Sequence, residues 1–360
     1  MAQIDAFFKL MNDQGASDLH LVSGQQPILR IDGEMERVKY KDLDDDELKT
    51  MLYEIAPEHK VKVFEETGDV DFAYEIPGLA RYRANFFRQK NGVGAVFREI
   101  PSKILSCQQL GLPMVIQRLA TLPRGLVLVT GPTGCGKSTT LAAIIDDANN
   151  NRKDHILTIE DPIEFVHRSK KSIVNQREVG THTKTFAAAI RGALREDPDI
   201  ILVGEMRDLE TISLAIEASS TGHLVFATLH TTSAAKTVDR VIEVFPTNQQ
   251  EQIRNTLADN LRAVVAQNLF KRIGRKGRVV ALEIMIGTPA VRNLIREGKT
   301  YQINSMIQTG KKYGMQTLDD AIMGLLKGTT ISADEAYAKA SEKSLFLPFL
   351  KNPPVDFTEG

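Results

Sequence analysis

Residues 124–150 read RGLVLVTGPTGCGKSTTLAAIIDDANN, and this stretch decides the fold. The run RGLVLVT has no polar alternation, which is how a strand buried on both faces looks. It leads directly into GPTGCGKST at 131–139, and a helical pattern follows from about Lys137. This is the Walker A form GxxxxGK(S/T), with Gly131, Gly136, Lys137 and Ser138 at the defining positions. Its glycines let backbone N–H groups turn inward around phosphates, and the helix N-terminus adds partial positive charge. The loop, including Pro132, Thr133, Gly134, Cys135 and Thr139, is therefore assigned to ATP. Lys137 is expected on the β and γ phosphates and Ser138 on Mg2+. Cys135 reads as a small filler residue rather than a redox-sensitive thiol.

Downstream, HILTIED, DIILVGE and HLVFATLH repeat the buried-strand pattern between helical stretches. Together with RGLVLVT they predict a mostly parallel sheet with helices on both faces, an α/β architecture. Chemistry in such sheets collects at the carboxyl ends of the strands. Three acids lie there in HILTIEDPIEF: Glu160, Asp161 and Glu164. Glu205 closes DIILVGE, an apolar strand with a terminal carboxylate as a Walker B segment needs to hold Mg2+ through its water shell. It is Glu where Asp is usual and could equally order a water, so the residues alone leave the division of roles between Glu164 and Glu205 open. His230 ends its strand beside the expected γ-phosphate, where it could sense phosphate or position water; His223, at the other end, reads as structural.

Positive charge on the transition state is best supplied by arginine. The candidates are Arg81 and Arg83, on one face of the strand ARYRANFF, and Arg191 and Arg195, four apart on one helix face in AIRGALREDPD. Spacing alone makes both pairs ordinary ion-pair partners. The run KRIGRKGR at 271–278 reads as a solvated hairpin tip. From about Gln249 the chain looks largely helical, with LADNLRAVVAQNLF and MQTLDDAIMGLLKG as amphipathic patterns.

Upstream, AQIDAFFKLMNDQ has helical spacing, DLHLVSG alternates as a strand, and the acids of DLDDDE at 42–47 start a helix. DVDFAYEI, ARYRANFFRQ and GVGAVFREI read as successive antiparallel strands, punctuated by Pro77-Gly78 and Asn91-Gly92. The text is irregular from Pro101 to Pro123. The expected division is an N-terminal domain over 1–100, a linker over 101–118 and the ATPase domain over 119–360.

The 360 residues fit about two domains at roughly 150 residues each. With 42% hydrophobic and 25% charged residues, disordered, collagen-like and coiled-coil classes are excluded. Lys plus Arg number 45 and Asp plus Glu 46, a net charge of −1, so no global attraction to nucleic acid is expected. Two cysteines, Cys107 and Cys135, cannot build a four-cysteine zinc site or a disulfide framework. The N-terminus lacks the basic start and apolar run of a signal peptide, and no apolar run approaches the ~20 residues of a membrane span. A cytoplasmic protein without a transmembrane segment is expected.

GPTGCGKSTT, TIEDPIEF, LREDPDIILVGEMRD and TGHLVFATLHT together resemble the Walker A, Asp box, Walker B and His box of the secretion-superfamily ATPases. ASDLHL and RYRANFF are similar to that family's N-terminal domain. The match is closest to its pilus-retraction branch. AVRNLIREGK at 290–299, with Arg292, Asn293, Leu294 and Ile295, resembles that branch's AIRNLI motif, with Val291 where isoleucine is usual.

The resemblance implies an N-terminal PAS-like α+β domain and a C-terminal RecA-like P-loop domain, assembled as a homohexamer with ATP at the subunit junctions. It makes Glu164 the catalytic glutamate, Glu205 the Walker B acid and His230 the His-box sensor. It lifts Arg81 and Arg83 to arginines that reach the γ-phosphate. It implies a motor for type IV pilus retraction and twitching motility, peripheral at the inner-membrane pilus base. The implied partners are a platform protein and an accessory retraction ATPase. The rivals are an accessory retraction ATPase, a pilus-assembly or type II secretion ATPase, and a nucleotide-gated structural ring without turnover. Two cysteines and an N-terminus at the PAS-like region argue against the assembly and secretion relatives, which carry a further domain and commonly a four-cysteine zinc motif.

Overall fold

A computed structural model describes residues 2–31, 33–100, 103–274 and 277–352. They form two compact units, Met1–Lys103 with Pro162–Val166, and Ile104–Asp161 with His167–Gly360.

The first unit contains α1 (Asp5–Asp13), β1 (Asp18–Val22), β2 (Ile28–Ile31), β3 (Glu34–Arg37), α2 (Asp45–Ile55), α3 (Glu58–Thr67), β4 (Asp69–Ile76), β5 (Ala80–Gln89) and β6 (Gly92–Ile100). Its strands form one antiparallel sheet in the order β3-β2-β1-β6-β5-β4. The strands at 69–100 and the turns between them fall where the alternation and the Pro-Gly and Asn-Gly pairs expect them. The core is aromatic: the Phe8 ring lies 4.3 Å from Tyr82 and 4.9 Å, edge-on, from Phe97. The acidic run at 42–47 does two jobs. Asp44 caps α2 by accepting from Asp46 N, while Asp45 accepts from Ser23 Oγ at 2.6 Å and Val93 N at 2.7 Å and so ties the helix to β6.

The second unit contains α4 (Met114–Leu119), β7 (Gly125–Thr130), α5 (Lys137–Asn151), β8 (His155–Glu160), β9 (Ile173–Glu178), α6 (Phe186–Ala193), β10 (Ile200–Val203), α7 (Leu209–Ser220), β11 (Leu224–Leu229), α8 (Ala234–Glu243), α9 (Gln250–Asn260), β12 (Leu261–Lys271), β13 (Arg278–Ile286), α10 (Pro289–Arg296), α11 (Ile303–Thr309), α12 (Leu318–Lys327) and α13 (Ala333–Lys339). Its seven-stranded sheet runs β13-β12-β7-β11-β10-β8-β9, and every pairing is parallel except that of β12 with β13. Helices cover both faces. α6, α7, α8, α9, α10 and α11 share one core, and α4 and α5 another. A smaller core joins Phe270 and Ala281 of the last two strands to Leu318, Ile322, Ala336 and Phe346.

Two sequence expectations fail. Residues 261–270 of the pattern expected as helix lie in the strand β12, and β13 follows in a region expected to be largely helical. α9 passes into β12 at Asn260–Leu261 without a glycine or proline to mark the change, and β12 is buried on both faces, so its apolar run has no strand alternation. Pairing with β7, Val264 opposite Leu128, decides the conformation there. The helix α6 also ends at Ala193, so Arg191 and Arg195 do not share a helix face. Arg195 N and Glu196 N bond back to Gly192 O and Ala193 O, and Asp197 takes a positive φ of 52° before Pro198, which disfavours helix in the residue ahead of it.

The run at 271–278 links β12 to the antiparallel β13, as a hairpin tip would; its Arg275 and Lys276 lie outside the described residues, as do Pro101 and Ser102 of the expected linker.

Candidate nucleotide-binding site

The register of the parallel strands assembles the site. Thr130 at the end of β7 lies opposite Leu229 at the end of β11, Ala227 lies opposite Val203 at the end of β10, and Val203 lies opposite Ile159 on β8. The residues that follow these strand ends emerge along one edge of the sheet: the phosphate loop, His230, Glu205 and Glu160.

Between β7 and α5 the loop needs glycine at two positions for different reasons. Gly131 has φ +141°, and a Cβ there would meet Gln267 O at 2.4 Å and Cys135 Sγ at 2.6 Å. Gly136 takes the left-handed conformation, φ +88°, at the N-cap of α5. Lys137 folds back over the loop: its Nζ donates to Gly131 O at 2.8 Å and Pro132 O at 3.3 Å and stands 3.4 Å from His230 Nδ1. The other ring nitrogen, His230 Nε2, lies 2.8 Å from Glu205 Oε1.

A lysine ammonium has only protons to offer, so His230 Nδ1 accepts and Nε2–H donates to the carboxylate. One imidazole therefore bridges the phosphate-loop cation and the Walker B acid. Arg207 Nη2 donates to the second Glu205 oxygen, Oε2, at 2.6 Å. Burial pushes the Glu205 carboxyl up, but the Arg207 hydrogen bond and charge, with His230 beside it, outweigh burial and hold it below the usual range.

Cys135 is buried and its thiol is pushed up by burial against the opposing pull of Lys137, which favours the filler role. Glu160 is buried at the end of β8 and accepts from Thr158 Oγ1 at 2.7 Å. Asp161 acts on Arg207 by its charge. His223, just ahead of β11, places Nδ1 2.9 Å from Ala218 O, a structural role. Arg191 pairs with Glu210.

Arg81 and Arg83 point to one face of β5, where they pair with Glu75 at 3.7 Å and Asp71 at 3.5 Å. These two arginines and Glu164 belong to the first unit; Lys137, Glu205 and His230 belong to the second. In the retraction-like motif, Val291 and Ile295 are buried in the core of the second unit, while Asn293 is exposed on α10.

Two residues of the site carried no sequence signal of their own. Arg207 stands in the quoted GEMRD but matched no motif position. Gln267 lay in a segment read as helix; in β12 it is 2% exposed, and its Nε2 donates to Cys135 O at 2.7 Å. Reading the adjacent Val264-Val265 as strand residues would have put Gln267 on a strand, but only the pairing of β12 with β7 brings it beside the loop.

A family profile described as "Type II/IV secretion system protein" matches residues 2–336. The chain belongs to the type II/IV secretion system protein family. Within this family it is 58% identical to the type IV pilus retraction ATPase PilT of Pseudomonas aeruginosa, over 91% of this chain and 95% of that protein. It is 52% identical to a twitching motility protein of Neisseria gonorrhoeae, over 87% of this chain and 84% of that one. A crystal structure of the pilus retraction motor PilT with bound ADP superposes with a TM-score of 0.89 at 44% identity, covering 96% of this chain and 98% of the other. This member of the secretion family is an ATPase, and its relatives place it with the type IV pilus retraction ATPases. None of its described helices is long and apolar enough to cross a membrane.

Proposed function

We propose that the chain is the ATP-hydrolysing motor of type IV pilus retraction, working as a homohexameric ring at the cytoplasmic side of the inner-membrane pilus base. The observation that carries this reading is the His230 bridge. It joins a phosphate-loop lysine to an ionised carboxylate at the strand edge where a γ-phosphate would sit. The relatives favour retraction over the neighbouring activities, since identity to the Pseudomonas aeruginosa ATPase PilU is 36%, against 58% for PilT. Type II secretion protein E of Aeromonas hydrophila matches over only 47% of this chain and 32% of its own length.

The donor set suits Mg2+. Ser138 opens α5 with a hydroxyl and Glu205 offers an ionised carboxylate, both hard oxygen ligands. Among the described residues no cluster of three or more His, Cys, Asp or Glu side chains could hold a metal by itself, so phosphate oxygens and water would complete the shell. The ion, when bound, neutralises charge on the β and γ phosphates.

The chain's own residues do the rest. Lys137 exchanges the Gly131 and Pro132 carbonyls for phosphate oxygens. That exchange changes what His230 Nδ1 faces, and the ring passes the change to Glu205 through Nε2. Glu164 activates the attacking water, and Arg81 and Arg83 stabilise the charge that develops. The N-terminal and ATPase domains act as separate bodies, and ATP shifts their arrangement by binding one form better than another. The ring transmits that change to a platform protein, with an accessory retraction ATPase as a further partner.

Retraction should be restored when this chain alone complements a strain that lacks its retraction motor; no restoration would overturn the assignment. Glu164→Gln should keep ATP binding and lose about 10²–10⁴-fold in phosphate release. Unchanged release would remove Glu164 from its role, and no release from the native ring would favour a nucleotide-gated structural ring.

A further inference from the structure

We propose that Gln267 is a positioning residue that aims the phosphate loop's Gly136 N–H at the nucleotide, so that β12 helps set the affinity for phosphate. This rests on the nucleotide-site reading above. Gln267 sits on β12, which pairs with β7, the strand that feeds the loop. The side chain is buried and makes one hydrogen bond, from Nε2 to the Cys135 carbonyl at 2.7 Å. In a trans peptide the C=O and the following N–H point in opposite directions. Fixing Cys135 O on the strand side therefore turns the Gly136 N–H to the other side of the same peptide plane. Gly136 is left-handed at the N-cap of α5, where successive N–H groups make an anion-binding concavity.

The contact is close on every side. A Cβ on Gly136 would lie 3.4 Å from Gln267 Nε2, and a Cβ on Gly131 would lie 2.4 Å from Gln267 O. Strand and loop thus touch through both the backbone and the side chain of one residue.

The amide is an odd choice for packing alone. Gln267 shares its strand face with Ala263 and Val265, which belong to the apolar core under α5. Its Oε1 is buried with no hydrogen-bond partner among the described residues. Leaving an acceptor unsatisfied in such a place is unfavourable, and an apolar side chain of the same length would avoid it. What glutamine adds over methionine at this position is the donor to Cys135.

The test compares Gln267→Met and Gln267→Leu, which fill the site with an apolar side chain and lose the donor, with the native full-length protein by isothermal titration of ADP and of adenosine. Affinity for ADP should fall roughly tenfold, the size of one hydrogen bond, while that for adenosine stays within about twofold. In steady-state hydrolysis KM should rise by a similar factor, with kcat changed less. Titration stoichiometry counts only folded sites, so a partly destabilised variant still reports the ratio. Equal losses for ADP and adenosine, no loss for either, or unfolding of both variants would assign Gln267 to packing and overturn the inference. Failure of the native protein to bind ADP would instead overturn the site itself.

Discussion

At the residue scale, His230 is the most informative side chain because its two nitrogens face groups of opposite charge. Glu205 is the group whose state can be read through pH. Its carboxyl is held below the ordinary range, as burial is outweighed by Arg207 and His230. A depressed native pKa means that these contacts stabilise the fold fully above the unfolded value of about 4.3 and are lost as pH falls through the native value. Arg207 is largely exposed, at 74%, so the effect is small. Glu205→Gln should lower the thermal midpoint by roughly 1–3 °C at pH 7, with the gap closing as pH drops below about 4. A gap that does not change with pH would show that the charge contributes nothing.

Lys137, Glu205 and His230 were legible because local spacing fixes them: a loop between strand and helix, and the ends of two apolar strands. Gln267 was not, since its partner Cys135 lies 132 positions away and only sheet pairing brings them together.

At the element scale, strongly apolar strands flanked by turn residues declared themselves, and β12 did not. Its sequence LRAVVAQNLFK follows a helix without a break and is covered on both faces, so neither the period nor a breaker marks it. The consequence is a hairpin that serves as a docking surface for the chain's last helices. Phe346, fully buried, closes the small core formed with Phe270, Ala281, Leu318 and Ile322. Phe346→Ala should cost about 3–5 kcal/mol in that core. The core is separate from those around the parallel sheet, so the loss should appear in hydrogen exchange as faster opening of α12 and α13, with amides of β7 and β11 still protected. Uniform loss of protection would mean that the C-terminal helices and the parallel sheet unfold as one.

At the scale of the whole molecule, the expected catalytic set is split between units. Lys137, Glu205 and His230 are in one; Arg81, Arg83 and Glu164 are in the other. If the active form is the proposed ring with ATP at its junctions, activity per chain should collapse on dilution below the assembly concentration and return on reconcentration. Full ATPase activity in an isolated monomer, measured alongside light scattering, would rule out a shared site.

The amino-acid sequence by itself determined the class of the fold and the phosphate chemistry, because buried-strand runs and the GPTGCGKST loop are local patterns whose physics is complete within a dozen residues. It also placed β1 and the antiparallel strands β4, β5 and β6 of the first unit, where alternation and turn residues coincide, but it left β2 and β3 unread. Tertiary structure alone decided that 261–270 is a strand rather than a helix, that Gln267 braces the loop, and that His230 joins Lys137 to Glu205. Each of these depends on strands distant in sequence lying side by side, where pairing and burial override local preference.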